Sequence, residues 1–128
     1  PPPPPFFLHD HAGIRDPLWS RGLGDVYKRQ IQHTSASLIV QENADPDVRI
    51  DLKNYFNKLV PMDENLYIHK SEGKDDMPAH IKSALTNNQI SLSIKDKKLL
   101  LGTWQGLYLF EHRTSKHKRK IIHHYFGD

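Results

Sequence analysis

The 128-residue chain contains no cysteine, which excludes disulfide bonds and zinc sites built from thiolates. It also lacks any run of about 20 apolar residues, so the sequence offers no transmembrane helix. A glycine-rich phosphate loop and a dinucleotide-binding fingerprint are both missing. Hydrophobic residues make up 37% and charged residues 26% of the chain. This composition is typical of one globular domain, and we expect a cytoplasmic protein without a membrane partner.

The net charge is only +3, and much of the positive charge lies near the C-terminus. The basic residues there are Arg113, Lys116, Lys118, Arg119 and Lys120. Both a solvated turn and a phosphate-binding surface are compatible with such a run. Because the run is short and lacks the interleaved aromatic residues of single-strand binders, we expect no nucleic-acid partner.

Residues 1–30 differ in character from the rest of the chain. They begin with five prolines, which favour a polyproline II conformation and cannot pair inside a sheet. The remainder of this segment shows neither a helical nor a strand period. We therefore interpret residues 1–30 as a non-native or disordered proline-rich leader, and residues 31–128 as the domain.

From residue 31 onward the pattern predicts regular structure. The segment 31–40 is rich in β-branched residues and predicts a strand. Asp45 followed by Pro46 predicts the start of a helix, and a similar start lies at 76–78. Further strands are predicted at 66–69, 90–94, 99–103, 107–111 and 120–126, with a polar turn around Asp96 and Lys97. This order predicts an α+β domain with a largely antiparallel sheet and two helices.

The segment 67–83, YIHKSEGKDDMPAHIKS, is the strongest candidate for a functional site. It combines His69 and His80 with carboxylates that can bind a divalent metal or move protons near neutral pH. Asp76 lies four residues before His80 on the predicted helix, so the two side chains share one face. The spacing matches neither a zinc finger nor the H-E-x-x-H motif, and the pattern alone does not identify the chemistry.

Polar residues at two other places are weaker candidates. On a strand, His33, Ser35 and Ser37 would share one face, which either lines a pocket or contacts solvent. Glu42 and Asn43 precede the first predicted helix. They either cap the start of that helix and interact with its dipole, or they lie beside a bound cation or a substrate amine.

The segment Gly102–Gly106 interrupts a predicted run of β-structure. Glycines at such a break permit a bulge or a close approach of a ligand to the backbone. Gln105 offers both donors and an acceptor, which could fix the orientation of a substrate. Arg113 and Arg119 could make bidentate contacts with phosphate.

Four blocks of the sequence carry a resemblance to a known family. They read HTSASL, QENADPDVRIDL, IH followed by EGKDDMPAHIKS, and LGTWQGLYLFEHR. In this order, over Ile31 to Gly127, they closely resemble the YjbQ-like family, whose members carry the label secondary thiamine-phosphate synthase. Members of that family have an additional β segment before the first block, where this chain has its leader, so its first strands are expected to be missing.

The resemblance implies a compact α+β fold, a homotrimer with pockets near the subunit boundaries, and a weak synthase activity. That activity joins a pyrimidine methyl diphosphate to a thiazole phosphate and releases pyrophosphate. The family's polar positions fall here on His33, Ser35, Glu42, Asn43, Asp51, His69, Asp75, His80 and Gln105.

From these positions we formulate an enzyme hypothesis. His33, His69 and His80 bind a divalent metal, zinc or magnesium, or divide that role with proton transfer. The expected catalytic residues are His69, His80 and Asp75, and the expected substrate-binding residues are Ser35, Asn43, Gln105, Arg113 and Arg119. The ligand would be a small phosphorylated metabolite. Two alternatives stay open: a protein that binds such a metabolite without turnover, and a metal-dependent phosphoester hydrolase.

Overall fold

A computed structural model describes residues 6–7 and 25–127 of the chain. The helices are α1 (Pro46–Leu59) and α2 (Asp76–Leu85), with a 3₁₀ turn at Glu64–Leu66 between them. The strands are β1 (Phe6–Phe7), β2 (Val26–Ile31), β3 (Ala36–Glu42), β4 (Gln89–Lys95), β5 (Lys98–Leu99), β6 (Gln105–Glu111) and β7 (Ile121–Phe126). The predicted α+β class with two helices is confirmed.

The strands form two sheets in which the described pairs are antiparallel. The first sheet has the order β1-β6-β3, and the second has the order β5-β4-β2-β7. The two sheets are joined in sequence at residues 32–35, which lead from β2 in the second sheet to β3 in the first. Two of the predicted site residues, His33 and Ser35, lie within this short connection.

Strand β6 lies at the centre of the layered packing. Its apolar run LYLF is buried on both faces, which explains why it does not alternate with polar residues. One face presents Leu109 to a core that includes Leu38 and Ile31 and extends to the second sheet. The other face presents Tyr108 and Phe110 to α1. The domain is therefore layered as sheet, sheet and helix.

Local sequence explains where α1 begins. Asp45 accepts a hydrogen bond from the backbone N–H of Asp47 at 2.9 Å, and Pro46 occupies the first turn of α1. Helix α1 then packs Phe56 edge-on against Phe110, with ring centroids 5.5 Å apart. Helix α2 lies beside β3, where Ser83 Oγ donates to the carbonyl of Ala36 at 3.2 Å.

The structure differs from the sequence predictions at several boundaries. Residues 26–30, assigned to the leader, form most of β2, which pairs with both β4 and β7. Of the leader residues, only 6–7 and 25–30 fall within the described part. The predicted strand at 66–69 is wrong, because residues 64–66 form a 3₁₀ turn and 67–69 pair with no strand. Strand β5 is also shorter than the predicted 99–103.

The predicted strand 31–40 is interrupted by the crossing between the sheets. Gln32 still donates its N–H to the carbonyl of Lys120, beside β7, whereas Ser35 accepts from the N–H of His112, beside β6. His33 and Ser35 therefore precede β3 and do not share a strand face with Ser37, so that prediction is wrong. The predicted polar turn is confirmed: Asp96 and Lys97 both have positive φ, as a two-residue type I′ hairpin requires.

No helix within the described residues is long and apolar enough to span a bilayer.

Candidate functional site

The loop before α2 positions the strongest group of functional side chains. Gly73 adopts φ +111°, a left-handed conformation that favours glycine, and its carbonyl accepts from the N–H of Asp76. A Cβ at residue 73 would also lie 3.1 Å from Asp75 Oδ1. This turn brings His69 back over the first turn of α2, where Asp76 is buried at 2% exposure.

His69, Asp76 and His80 converge on one point, and we refer to them as the histidine cluster. Asp76 Oδ2 lies 2.7 Å from His69 Nε2 and 3.1 Å from His80 Nε2. One ligand atom from each of the three residues lies within 4.8 Å of the others. Two imidazole nitrogens and a carboxylate oxygen are ligands that zinc and other transition metals prefer.

The contacts of His80 determine which of its nitrogens faces the cluster. Its Nδ1 lies 2.9 Å from the carbonyl oxygen of Thr34, and a carbonyl can only accept, so Nδ1 carries the proton. In the neutral ring the lone pair of Nε2 then points at the carboxylate of Asp76, which is repulsive unless a second proton or a cation lies between them. A metal-binding histidine typically donates its other ring N–H to a backbone carbonyl, as Nδ1 of His80 does here.

Asp76 is oriented by an arginine on the opposite side of its carboxylate. Arg113 Nη1 donates to Asp76 Oδ1 at 2.8 Å, which leaves Oδ2 for the histidines. Burial alone would raise the pKa of Asp76, but hydrogen bonding from His69 and the charges of His80 and Arg113 lower it. The carboxylate is therefore anionic at neutral pH, as a metal ligand must be.

Asp75 connects the loop, the arginine and the end of β6. Arg113 Nε donates to Asp75 Oδ2 at 3.0 Å, and the Thr114 N–H donates to the same oxygen at 2.9 Å. Burial raises the pKa of Asp75, but these hydrogen bonds outweigh it and bring the pKa to about 2. Asp75, predicted as a catalytic residue, thus lies beside the histidine cluster and binds the arginine that orients Asp76.

His33, predicted as the third metal ligand, is not part of the histidine cluster. Its Nε2 lies 2.9 Å from Arg119 Nη1, and because arginine can only donate, the Nε2 lone pair is used by that contact. Its Nδ1 lies 3.0 Å from Ser35 Oγ. Burial and the charge of Arg119 lower the pKa of His33. His33 still shares an open cleft with His80, so it lies next to the cluster without completing it.

Both predicted phosphate-binding arginines are engaged within the chain. The side chain of Arg119 is 2% exposed and donates to both carboxylate oxygens of Glu111, at 2.7 and 2.6 Å. It also donates to Ser35 Oγ at 3.2 Å. Arg113 is divided between Asp75 and Asp76 and donates in addition to the Glu72 carbonyl. In the described structure the guanidinium groups of both arginines are therefore bonded to acceptors of the protein, and they position the carboxylates that they contact.

Asn43 and Gln105, predicted to bind substrate, lie together but far from the histidine cluster. Asn43 Nδ2 donates to the carbonyl of Gln105 at 3.2 Å, and Gln105 Oε1 accepts from the N–H of Gly102 at 2.7 Å. They flank the Glu42 end of β3, whereas the cluster lies near its Ala36 end. Six residue steps of a strand at about 3.3 Å each separate the two ends by roughly 20 Å.

Comparison with known proteins places this chain in a family. A family model described as UPF0047 protein YjbQ-like matches residues 19–128. The chain belongs to the UPF0047 (YjbQ-like) family. UPF0047 protein sll1880 from Synechocystis is 50% identical over 118 residues, which cover 92% of this chain and 75% of that protein. UPF0047 protein YjbQ from Salmonella typhimurium is 51% identical over 90 residues, but the chain spans only 64% of its length.

Solved structures share the fold of this UPF0047 chain. The crystal structure of the conserved hypothetical protein TT1486 from Thermus thermophilus superposes with a TM-score of 0.78 at 30% identity. That match covers 98% of this chain and 95% of the other. An uncharacterized YjbQ/UPF0047 protein from Clostridium acetobutylicum gives a TM-score of 0.71 at 29% identity, covering 91% and 81%. The YjbQ-like fold predicted from the sequence is confirmed.

Sequence reasoning about this UPF0047 chain missed two groups of residues. It does not include Asp76 among the metal ligands or catalytic residues, yet Asp76 lies at the centre of the cluster; its spacing of four from His80 was the available signal. The second group comprises Lys82 of α2 and His112 at the end of β6, both of which are buried. No sequence pattern marks them, because burial of a lysine or histidine depends on the packing of distant segments.

Proposed function

We propose that this UPF0047 protein binds a divalent transition metal, zinc in the first instance, at His69, Asp76 and His80. The observation that carries the proposal is the Nδ1 contact of His80 with the Thr34 carbonyl, which directs the opposite lone pair at Asp76. Magnesium fits less well, because it prefers oxygen ligands over imidazole. Three protein ligands leave a coordination position for water or substrate, as in catalytic zinc sites.

We further propose that the site acts on a small phosphorylated metabolite. The reaction to test first is the one implied by the YjbQ-like resemblance, formation of thiamine phosphate. In it the bond between the pyrimidine methylene carbon and the diphosphate oxygen breaks, a bond from the thiazole nitrogen to that carbon forms, and pyrophosphate leaves with the electron pair. A bound cation would stabilise the charge of the leaving group. The exposed edge of His69 makes the cluster accessible to such a substrate.

The first experiment measures zinc per subunit in the purified protein, in His80→Ala and in His124→Ala. His124 is an exposed histidine of β7 outside the cluster, so it is the matched control. We expect near-stoichiometric zinc in the parent and the control, and loss of zinc in His80→Ala. Equal zinc in all three folded proteins would contradict the proposed metal site.

The second experiment supplies both thiamine precursors to the zinc-loaded protein and measures pyrophosphate. Pyrophosphate release that disappears in His80→Ala supports the synthase reaction. Zinc binding without release would reject that reaction, and inorganic phosphate released from a generic phosphoester would instead favour the hydrolase.

The resemblance also leads us to propose a homotrimer, in which Asn43 and Gln105 would reach a cluster only on a neighbouring subunit. Light scattering tests the trimer. A mixed assembly of His80→Ala and Gln105→Ala subunits tests the shared site, because partial recovery of activity requires residues from two subunits. A monomer with full activity would contradict both the proposed trimer and the proposed shared site.

A further inference from the structure

A second cavity lies on the opposite side of α2 from the histidine cluster. Asp76 and His80 share one face of the helix, and residues two positions further along, Pro78 and Lys82, point about 200° away. Pro78 and Lys82 line the cavity together with Phe56 of α1 and residues at the end of β6. We call this the lysine cavity. Its volume of about 110 Å³ is small compared with the roughly 300–1,000 Å³ of pockets for drug-sized ligands, so it suits a compact group.

Lys82 is buried in this cavity without a carboxylate partner. It is 7% exposed, and its Nζ donates to Asn57 Oδ1 at 2.7 Å. Within residues 25–127 no carboxylate forms an ion pair with Lys82 or with the neighbouring Lys53. Burial and the nearby charge of Lys53 lower the pKa of Lys82, with Asp75 opposing them. A buried ammonium with unused donors is costly unless a ligand compensates it.

The carboxylates that line the lysine cavity form no ion pair with these lysines. Asp75 is bonded to Arg113, which also pairs with Asp76, and Glu111 is bonded to Arg119. With Arg113 and the two lysines set against Asp75 and Glu111, the lining keeps an excess of positive charge. This excess is concentrated beside Phe56 and other apolar side chains, where the local dielectric constant is low and an anion is attracted strongly.

His112 adds a buried nitrogen that lacks a partner. The side chain lines the cavity at 5% exposure, and its Nε2 lies 2.9 Å from Ser37 Oγ. Its Nδ1 is buried and has no hydrogen-bond partner among the described residues. Thr86 Oγ1 donates its one proton to the carbonyl of Lys82 at 2.8 Å, so it accepts from Ser37 Oγ at 2.7 Å, and Ser37 in turn accepts from Nε2 of His112. In that tautomer Nδ1 of His112 carries a lone pair and is an unused acceptor.

We propose that the lysine cavity is a binding site for a phosphate group, with Lys82 and Lys53 balancing the charge and His112 Nδ1 accepting from the hydroxyl of hydrogen phosphate. Two ammonium groups without an ion-pair partner match the charge of a phosphate dianion better than the single charge of a carboxylate ligand. These groups come from three separate elements, α1, α2 and the end of β6, and so approach a tetrahedral anion from different directions. The site can be tested without the proposed metal, because none of its three proposed ligands belongs to the histidine cluster.

The test is titration of inorganic phosphate into chelator-treated, metal-free protein by calorimetry, with acetate as the comparison anion. Variants are Lys82→Met, Lys53→Met and the exposed control Lys98→Met. We expect saturable phosphate binding that weakens about tenfold or more in Lys82→Met, and less in Lys53→Met, because a charge-assisted hydrogen bond contributes about 1.5–3 kcal/mol. Lys82→Met removes a buried charge, so it should fold at least as well as the parent.

Unchanged phosphate binding in Lys82→Met, or acetate binding as tight as phosphate, would overturn the proposal. A second variant pair examines His112 directly. Gln at 112 retains a polar atom near the Nε2 position, whereas Asn retains an acceptor near Nδ1. We expect His112→Gln to weaken phosphate binding more than His112→Asn does. In the parent, the ¹⁵N resonance of the unprotonated Nδ1 of His112 should shift when phosphate donates to it. An unchanged ring spectrum at saturating phosphate would contradict the assigned acceptor.

Discussion

The Nδ1 atom of His80 lies 2.9 Å from the carbonyl oxygen of Thr34, and this contact determines which imidazole nitrogen faces Asp76. It also connects α2 to the short crossing between the two sheets. The tautomer of a potential metal ligand is thus fixed by a backbone atom from a different part of the chain, as is common around metal-binding histidines.

The contact of His80 with Thr34 and its proposed role as a metal ligand can be separated by substitution. His80→Asn can retain the contact with Thr34 through its amide N–H but places no nitrogen at the Nε2 position. We expect the protein to keep most of its stability and to lose zinc, as measured by thermal unfolding and metal analysis. Retention of stoichiometric zinc in His80→Asn would show that Nε2 is not a ligand.

A substitution at His33 tests whether this histidine is needed for the metal. Because Arg119 donates to its Nε2, we expect His33→Asn to bind zinc with unchanged stoichiometry. Loss of zinc in His33→Asn, with its folded structure intact, would instead support the three-histidine set predicted from the sequence.

Local signals in the sequence identified the helices and part of the site. Asp45 and Pro46 define the start of α1 through contacts within a few residues, and the spacing of Asp76 and His80 follows from helical geometry. Both are encoded locally and could be recognised without the fold. The exclusion of His33 depends on Arg119, which is 86 residues away in sequence and cannot be found from the spacing of histidines.

Strand β2 was missed for a different reason. Its buried positions are Tyr27, Arg29 and Ile31, so a charged residue occupies the inward face of the strand. Arg29 lies over the ring of Tyr27, with its guanidinium carbon 5.0 Å from the ring centroid. A buried arginine conceals the alternation of apolar and polar residues by which strands are recognised. Its burial depends on tertiary contacts that the local sequence does not contain.

The buried ion pair between Arg119 and Glu111 should dominate the stability of this region. Both side chains are nearly fully buried, at 2% and 3% exposure. We expect Arg119→Met to destabilise the protein by about 3–5 kcal/mol, because it leaves an unpaired buried carboxylate. The double variant Arg119→Met/Glu111→Leu should recover much of this loss in urea unfolding. A double variant as unstable as the sum of the two single variants would contradict this explanation.

Stability should decrease in mild acid because of His112. Burial, with the charges of Lys82 and Arg119, lowers the pKa of His112 to about 3. Between that value and about 6.5 the unfolded chain binds a proton that the folded chain does not, so stability falls as the pH falls. The contribution is about 2 kcal/mol between pH 7.5 and pH 5. In urea unfolding, the free energy of unfolding of His112→Gln should fall by about 2 kcal/mol less than that of the parent over this pH range. Parallel curves for the variant and the parent would contradict the role of His112.

Arg113 should control metal affinity without contacting the metal. It donates to Asp76 Oδ1 at 2.8 Å while Oδ2 faces the two histidines, and it holds Asp75 with a second set of donors. Lysine cannot reproduce this divided geometry because its ammonium lacks the planar fork of a guanidinium. We expect Arg113→Lys to weaken zinc binding about 10- to 100-fold, as is typical when a partner of a metal ligand is lost. Arg49→Lys, on the far side of β6, is the matched control. Competition with a chromophoric chelator measures both affinities, and equal affinities would show that Asp76 needs no orienting partner.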